Sequence, residues 1–450
     1  MMLPVVAMLS GMLRWPRDIF AGLMYAQGVV YMFIAPSIAA ASLPTNTQAR
    51  YSFFLWWALP LFCGAFLVAY RIVAARLERR WSAPPDLVVN QLASVGFVIG
   101  SILMAVGWLW VALTRNLLYR RLGAEGIAGA QLDLSLIEFG IYRSFMEFAP
   151  FFAIYALVVL RIAKPPQRWI QLLWRSCLVV TASLYGLNVL VNSRLAGVLF
   201  IAALAGVVLI TAPESRRVRP ERVVLILMLA ISALYVVRVS ENIRERISNG
   251  GSAFDPSNLD PSGRTGGGEE GYELRLNGID LMALIADNVE AQGPALGRAW
   301  AVPLLLQLDP IFRTDFTEQM KRGALTTSKS FLLLQYAGIA ESDYYSCMIS
   351  DAYGNLGLAG FLAVALVLAG ACAVAGVGLR GKGGPTVILI ASFVLSRVLP
   401  FEQEFASLLF GWLKLLPLII AIWIFSPLRR RRPAVLRIEN GSAQALIGAM

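Results

Sequence analysis

No histidine occurs anywhere in the 450 residues, which excludes a histidine general base and every imidazole metal ligand. Charge is scarce as well. Only 15% of residues are charged, against roughly a quarter in ordinary soluble domains. Cysteine is limited to four residues, and three of them (Cys63, Cys177 and Cys372) fall inside long apolar runs. Cys347 alone lies outside those runs, so no structural disulfide is expected. The glycine-rich stretch "GRTGGG" has neither the lysine nor the following helix of a phosphate-binding loop, and it reads as a flexible linker.

Apolar residues make up 58% of the chain and are gathered into runs of about 16 to 28 residues. A run near 20 residues matches the hydrocarbon thickness of a bilayer, whereas a buried soluble helix is normally shorter and keeps a polar face. The expected fold is therefore all-α: a polytopic transmembrane helical bundle of about ten spans, at 19–41, 52–70, 87–113, 144–161, 174–191, 195–212, 223–238, 352–379, 385–400 and 406–425. Asn192, Ser193 and Arg194 alone separate the fifth and sixth spans, which predicts a tight helical hairpin.

The basic residues set the expected orientation. Arg71, Arg76, Arg79 and Arg80 follow span 2, and Arg161, Lys164, Arg168 and Arg175 separate spans 4 and 5. Arg216, Arg217, Arg219 and Arg222 precede span 7, Arg380 and Lys382 follow span 8, and Arg429 to Arg432 follow span 10. Lysine and arginine beside spans are retained on the cytoplasmic side, so both termini are expected there, in a bacterial inner membrane. This pattern accounts for much of the net charge of +11 and makes a nucleic-acid partner unnecessary; the partner these patches imply is the lipid bilayer.

The same alternation divides the chain into spans 1–7 (1–238), one large external, periplasmic loop (239–351), spans 8–10 (352–425) and a cytoplasmic tail (426–450). The loop holds 9 basic and 16 acidic residues, the reverse of the cytoplasmic balance. Its first part, 247–271, has too little apolar content to offset chain entropy. The next, "YELRLNGIDLMALIADNVEA", places Leu281, Met282, Ile285 and Val289 on one helical face. It reads as an amphipathic helix, either on the membrane or packed over the mouth of the bundle. Pro294, Pro303 and Pro310 then interrupt the chain, and an interfacial or re-entrant segment is expected.

Ionisable groups at span ends are costly and become candidate functional residues. Arg194 stands alone on the hairpin tip, Arg397 closes span 9, and Arg275 begins the amphipathic helix. Arginine stays charged and forks its hydrogen bonds to phosphate oxygens, so these three are candidates for an anionic ligand such as a diphosphate. Arg143 and Glu147 lie four residues apart and predict a local ion pair. Where the loop meets span 8, "ESDYYSCMISDAYGN" brings three carboxylates (Glu341, Asp343, Asp351) and three tyrosines (Tyr344, Tyr345, Tyr353) together. Asp351 suits helix capping as well as chemistry, and the tyrosines suit a membrane interface as well as a sugar face. Gly354, Gly357 and Gly360 predict close helix packing.

These features resemble the Wzy-type O-antigen and exopolysaccharide polymerases. The likeness rests on the hairpin arginine after "NS", on "NGIDLMALIADNVEAQGPALGRAWAVPLLLQLDP" and on "YYSCMISDAYGNLGLAGFLAVALVLAG". It covers about 190–220 and 270–380 in detail; elsewhere it is topology alone. The resemblance implies a glycosyltransferase that polymerises polyprenyl-diphosphate-linked oligosaccharide repeat units on the periplasmic face. Arg194, Arg275 and Arg397 would hold the diphosphate, and Tyr344, Tyr345 and Tyr353 the sugars. Asp351, then Asp343, Glu341 and Asp280, are the candidate general bases. It implies no metal and no cofactor, a lipid-linked glycan as substrate, and flippase and chain-length regulator proteins as candidate partners. The related O-antigen ligases carry a loop histidine that this chain lacks, and the ligase is the nearest alternative. Metal-dependent lipid-linked glycosyltransferases place acidic motifs in the first external loop, and here "LPTNTQARY" holds no carboxylate. A secondary transporter or an envelope assembly component is the alternative from another class.

Overall fold

The computed structural model describes residues 7–37, 45–81, 87–115, 134–211, 280–308, 327–339, 347–398 and 405–430, apart from positions 15, 16, 35, 164, 166 and 193. Span 7, residues 239–279 and the tail beyond 430 lie outside the described residues. Helices dominate. In chain order they are α1 (Ile19–Val29, extended by a π-turn at Val30–Ile34), α2 (Thr45–Arg80), α3 (Gln91–Thr114) and α4 (Leu136–Val158, extended by a π-turn at Val159–Ala163). The hairpin pair α5 (Arg168–Asn192) and α6 (Arg194–Ile210) follows. After it come α7 (Asp280–Gln292), α8 (Arg298–Leu308), α9 (Ser328–Ala337), α10 (Met348–Leu356), α11 (Ala359–Gly378), α12 (Pro385–Val398) and α13 (Phe405–Ile424). Two three-residue strands, β1 (Leu87–Val89) and β2 (Leu428–Arg430), pair antiparallel.

Among the described residues, five helical segments are long and apolar enough to cross a membrane: Pro60–Arg80, Gln91–Thr114, Gly140–Ala163, Arg168–Asn188 and Ala359–Gly378. Ile19–Ile34, Gly197–Ile210 and Pro385–Arg397 are apolar but shorter. Helix α3 shows why lipid is the natural solvent. It buries Ser94, Val98, Ser101, Ala105 and Trp108 on one face. Its other face is apolar too, with Leu92 84% and Leu103 64% exposed. A helix apolar all round belongs in a membrane, not in water. Its polar groups are satisfied locally, as Ser94 Oγ donates to the carbonyl of Asn90 at 2.7 Å.

Helix α2 runs for 36 residues. At 1.5 Å per residue that is roughly 54 Å, well beyond a hydrocarbon core of about 30 Å. The apolar run ends near Tyr70 while the helix continues to Arg80, carrying its arginines past the core on one side.

Polar contacts gather at the two ends of the bundle. At one end Asp18, beside α1, accepts a hydrogen bond from Tyr70 Oη at 2.7 Å and pairs with Arg71 at 3.0 Å, both on α2. Glu78 of α2 pairs with Arg17 and with Arg380, which follows α11. At the other end Arg115 closes α3 and forks onto Glu138 at 2.7 and 3.0 Å, while Ser135 and Glu138 form a reciprocal capping box for α4.

Two large apolar cores organise the interior. One joins α3–α6 to parts of α11 and α12, where Phe97 lies against Phe152, Tyr155 and Trp174. The other is shared by α1, α2 and α11 with α7, α9 and α10. Leu281, Met282, Ile285 and Val289 of α7 are buried in that second core. On that face the described part of the amphipathic helix meets protein. Residues 280–356 are thus not a separate unit where they are described.

Span 8 is not one helix. Gly357 adopts φ 61° and ψ −146°, a conformation open essentially to glycine alone, and there α10 ends and α11 begins. Gly360 packs against the carbonyl of Ala352, and a Cβ on Gly354 would stand 2.6 Å from Leu332 of α9. Close packing holds for Gly354 and Gly360. At Gly357 the requirement is a turn. All four cysteines are buried, and none is in a disulfide.

Candidate functional site

The end of the bundle opposite Glu78 carries a cluster of charges built from two helices, α4 and α12. Arg143 and Glu147 face the same side of α4 and pair at 3.0 Å, as their spacing requires. Arg397, in the last turn of α12, donates to the backbone carbonyl of Glu147 at 2.9 Å and stands 3.6 Å from its carboxylate. Nearby on α5, Tyr185 meets Phe200 of α6 edge to face at 4.8 Å. Tyr142 donates to Asn188 Oδ1 at 3.1 Å, tying α4 to α5. Two guanidinium groups thus share one carboxylate and leave a net positive charge. Arg143 is 48% exposed while Arg397 and Glu147 are mostly covered, so the cluster pairs a half-exposed cation with an enclosed one.

Arg194 is the first residue of α6, on the hairpin whose arms are joined by Tyr185 and Phe200. Each of those residues is six or seven positions from the hairpin turn, so the turn lies about 10 Å further along the helices. The side chains of Arg194 and Asp280 are not among those described, and Arg275, Glu341, Asp343, Tyr344 and Tyr345 fall outside the described residues. The structure therefore brings Arg397 together with Arg143 and Glu147. Arg194 it places by backbone alone.

Asp351 has a different setting. It lies in the first turn of α10 and is fully buried. The cap of α10 itself is made by Cys347 and Ser350, whose hydroxyl accepts from the Cys347 N–H at 2.9 Å. The carboxylate of Asp351 points instead to other elements. It accepts from Ser328 Oγ at the start of α9, from Trp300 Nε1 of α8 at 3.1 Å and from the backbone N–H of Ala406 in α13 at 3.1 Å. Asn355, one turn on, donates from Nδ2 to the same carboxylate at 3.2 Å and to the Asp351 carbonyl at 3.0 Å. The N-terminus of α13 is thus capped by a carboxylate from α10, where a negative charge is favourable.

The turn between α7 and α8 also docks on α10. The N–H groups of Ala295 and Leu296 donate to the carbonyls of Gly354 and Asn355 at 3.0 and 2.8 Å. Leu296 holds φ 51°, uncommon for a non-glycine residue, and is 77% exposed. Tyr353 is buried, its ring against Phe54 at 5.3 Å and Phe361 at 6.2 Å. That ring is enclosed by protein and offers no open face to a sugar here.

Sequence reasoning missed Trp300, Ser328, Asn355 and Tyr185. The spacing of Asp351 and Asn355 by four on one helix is the only local signal among them. Compared with known proteins, the chain matches no family model, no curated protein and no solved structure.

Proposed function

We propose that this membrane protein polymerises polyprenyl-diphosphate-linked oligosaccharide repeat units on the periplasmic face of the bacterial inner membrane. In this reading the chain crosses the membrane about ten times and residues 239–351 form the large periplasmic loop. The observation that carries it is the cluster of Arg397, Arg143 and Glu147 at one end of the bundle, the same end to which the hairpin arginine Arg194 belongs by helix direction.

A glycan held on the carrier diphosphate is already activated. The acceptor hydroxyl oxygen forms a bond to the anomeric carbon, and the bond from that carbon to the diphosphate oxygen breaks, with the electron pair leaving on the diphosphate. Fixed guanidinium groups stabilise the charge that develops there. Arg194 and Arg397 take that role, with Arg275 as a further donor from the loop, and Glu147 holds the Arg397 guanidinium in place. The hydroxyl proton passes to a carboxylate of the loop, Glu341, Asp343 or Asp280. Asp351 is left out of this step because its carboxylate is enclosed and engaged by donors from four directions.

The test is Arg194→Ala in the native strain. It abolishes long polymer while the protein stays in the membrane at its normal level. Near-normal polymer length in that variant would remove Arg194 from the mechanism.

A further inference from the structure

We propose that Asp351 is a latch: a positioning residue that holds α8, α9 and α13 onto α10 and so fixes the segment that closes the mouth of the bundle. The inference rests on the polymerase reading only for what the closed mouth serves.

The geometry is that of a hub. One buried carboxylate receives the Ser328 hydroxyl of α9, the Trp300 indole N–H of α8, the Ala406 backbone N–H of α13 and the Asn355 amide of its own helix. Those donors come from positions 23, 51, 55 and 4 residues away in the chain. Trp300 is also packed on Phe405, the first residue of α13, at 5.5 Å. A charged hydrogen bond in a buried site is strong, and removing the acceptor leaves several buried donors without it. Two of the donors, Trp300 Nε1 and Ala406 N–H, cannot accept a hydrogen bond. In Asp351→Asn the new NH2 group is accommodated only on the Ser328–Asn355 side, where the hydroxyl must turn and the amide flip to accept from it, and the charge is lost.

The latch also reaches the candidate site. Ala406 lies nine positions after Arg397, so the start of α13 bounds the short connection that leaves the arginine cluster. Fixing α13 through Asp351 fixes one end of that connection. The other end is held where Arg397 meets Glu147.

A native reporter sits four residues before Asp351. Cys347 is fully buried at the start of α10, and the other three cysteines are buried within α2, α5 and α11. The experiment is labelling of the full-length protein, in intact membranes, with a membrane-impermeant maleimide, read at the Cys347 peptide by mass spectrometry. Wild type labels slowly. Loss of a charged buried hydrogen bond raises the open population, so Ser328→Ala, Trp300→Phe and Asp351→Asn each speed labelling by about tenfold or more. If Asp351→Asn fails to accumulate, the other two variants carry the test. Labelling at the wild-type rate in Ser328→Ala and Trp300→Phe would overturn the latch and leave the polymerase reading untouched, because no glycan enters the measurement.

The positioning role has its own readout. Membranes are supplied with lipid-linked repeat unit extracted from the host strain lacking the gene. Ser328→Ala raises the apparent KM for that repeat unit while kcat holds, since a looser mouth weakens binding without touching the reacting groups. Faster Cys347 labelling with an unchanged KM would overturn the positioning role.

Discussion

Arg397 and Glu147 are 250 residues apart in sequence, yet the guanidinium of one donates to the main-chain carbonyl of the other at 2.9 Å. The contact joins the end of α12 to α4 and places a second cation beside the Arg143–Glu147 pair. A carboxylate shared by two arginines holds both while neutralising only one.

Under the proposed function, Arg397→Ala should lower polymerisation by about a hundredfold, the scale for losing one fixed donor to developing charge. Arg397→Lys should recover little of it, because an ammonium keeps the charge but loses the fork. The measurement is polymer length at matched protein level. Full activity in Arg397→Lys would mean that charge alone is required.

The break between α10 and α11 depends on Gly357. Gly357→Ala should destabilise the protein by roughly 1–3 kcal/mol, the cost of a non-glycine residue in that backbone region. Gly360→Ala should cost at least as much, because its new Cβ meets the main-chain carbonyl of Ala352, which has nowhere to move. Thermal unfolding in detergent tests both. An unshifted midpoint for Gly357→Ala would show that the helices can join without the turn.

At the opposite end, Asp18 is buried with Tyr70 and Arg71 as partners. Tyr70→Phe should cost about 1.5–3 kcal/mol, as expected for a hydrogen bond to a charged group. Arg71→Ala should cost more, about 3–5 kcal/mol, since it leaves the carboxylate buried without its cation. The order of the two midpoints is the check, and a milder Arg71→Ala would contradict it.

Glu138 gives a pH signature. Hydrogen bonds from Arg115 foremost, and from Ser135, hold its carboxyl down at about 2 from an ordinary value of 4.5. A carboxyl depressed in the folded state contributes stability that is complete above its unfolded value and is lost as pH falls towards the folded one. The midpoint gap between wild type and Glu138→Gln should be constant above about pH 5 and should close between 4.5 and 2. A gap that widens on acidification would reverse the assignment.

Much of the architecture was readable in the sequence because a membrane span must be apolar for a fixed length, and hydropathy reports that directly. The Arg143–Glu147 pair was readable for a similar reason: four residues is one helical turn. Other features were not. The apolar run of span 8 continues past Gly357, so hydropathy could not reveal a break that depends on backbone angles. The overrun of α2 was hidden because charge ends a span without ending a helix. Asp351 looked like a cap or a base, and its partners Ser328, Trp300 and Ala406 reach it only through tertiary packing. The signal at Tyr353 was ambiguous from composition, since a tyrosine at a membrane interface and one in a core read alike.

The most direct test of the proposed function is the glycan profile of a strain lacking the gene, with lipid-linked and surface glycans resolved by size. A repeat-unit polymerase predicts single units accumulating on the lipid carrier while long chains vanish, with restoration by the wild-type gene and none by Arg194→Ala. An unchanged profile would contradict it, as would long chains persisting on the carrier but missing from their final acceptor.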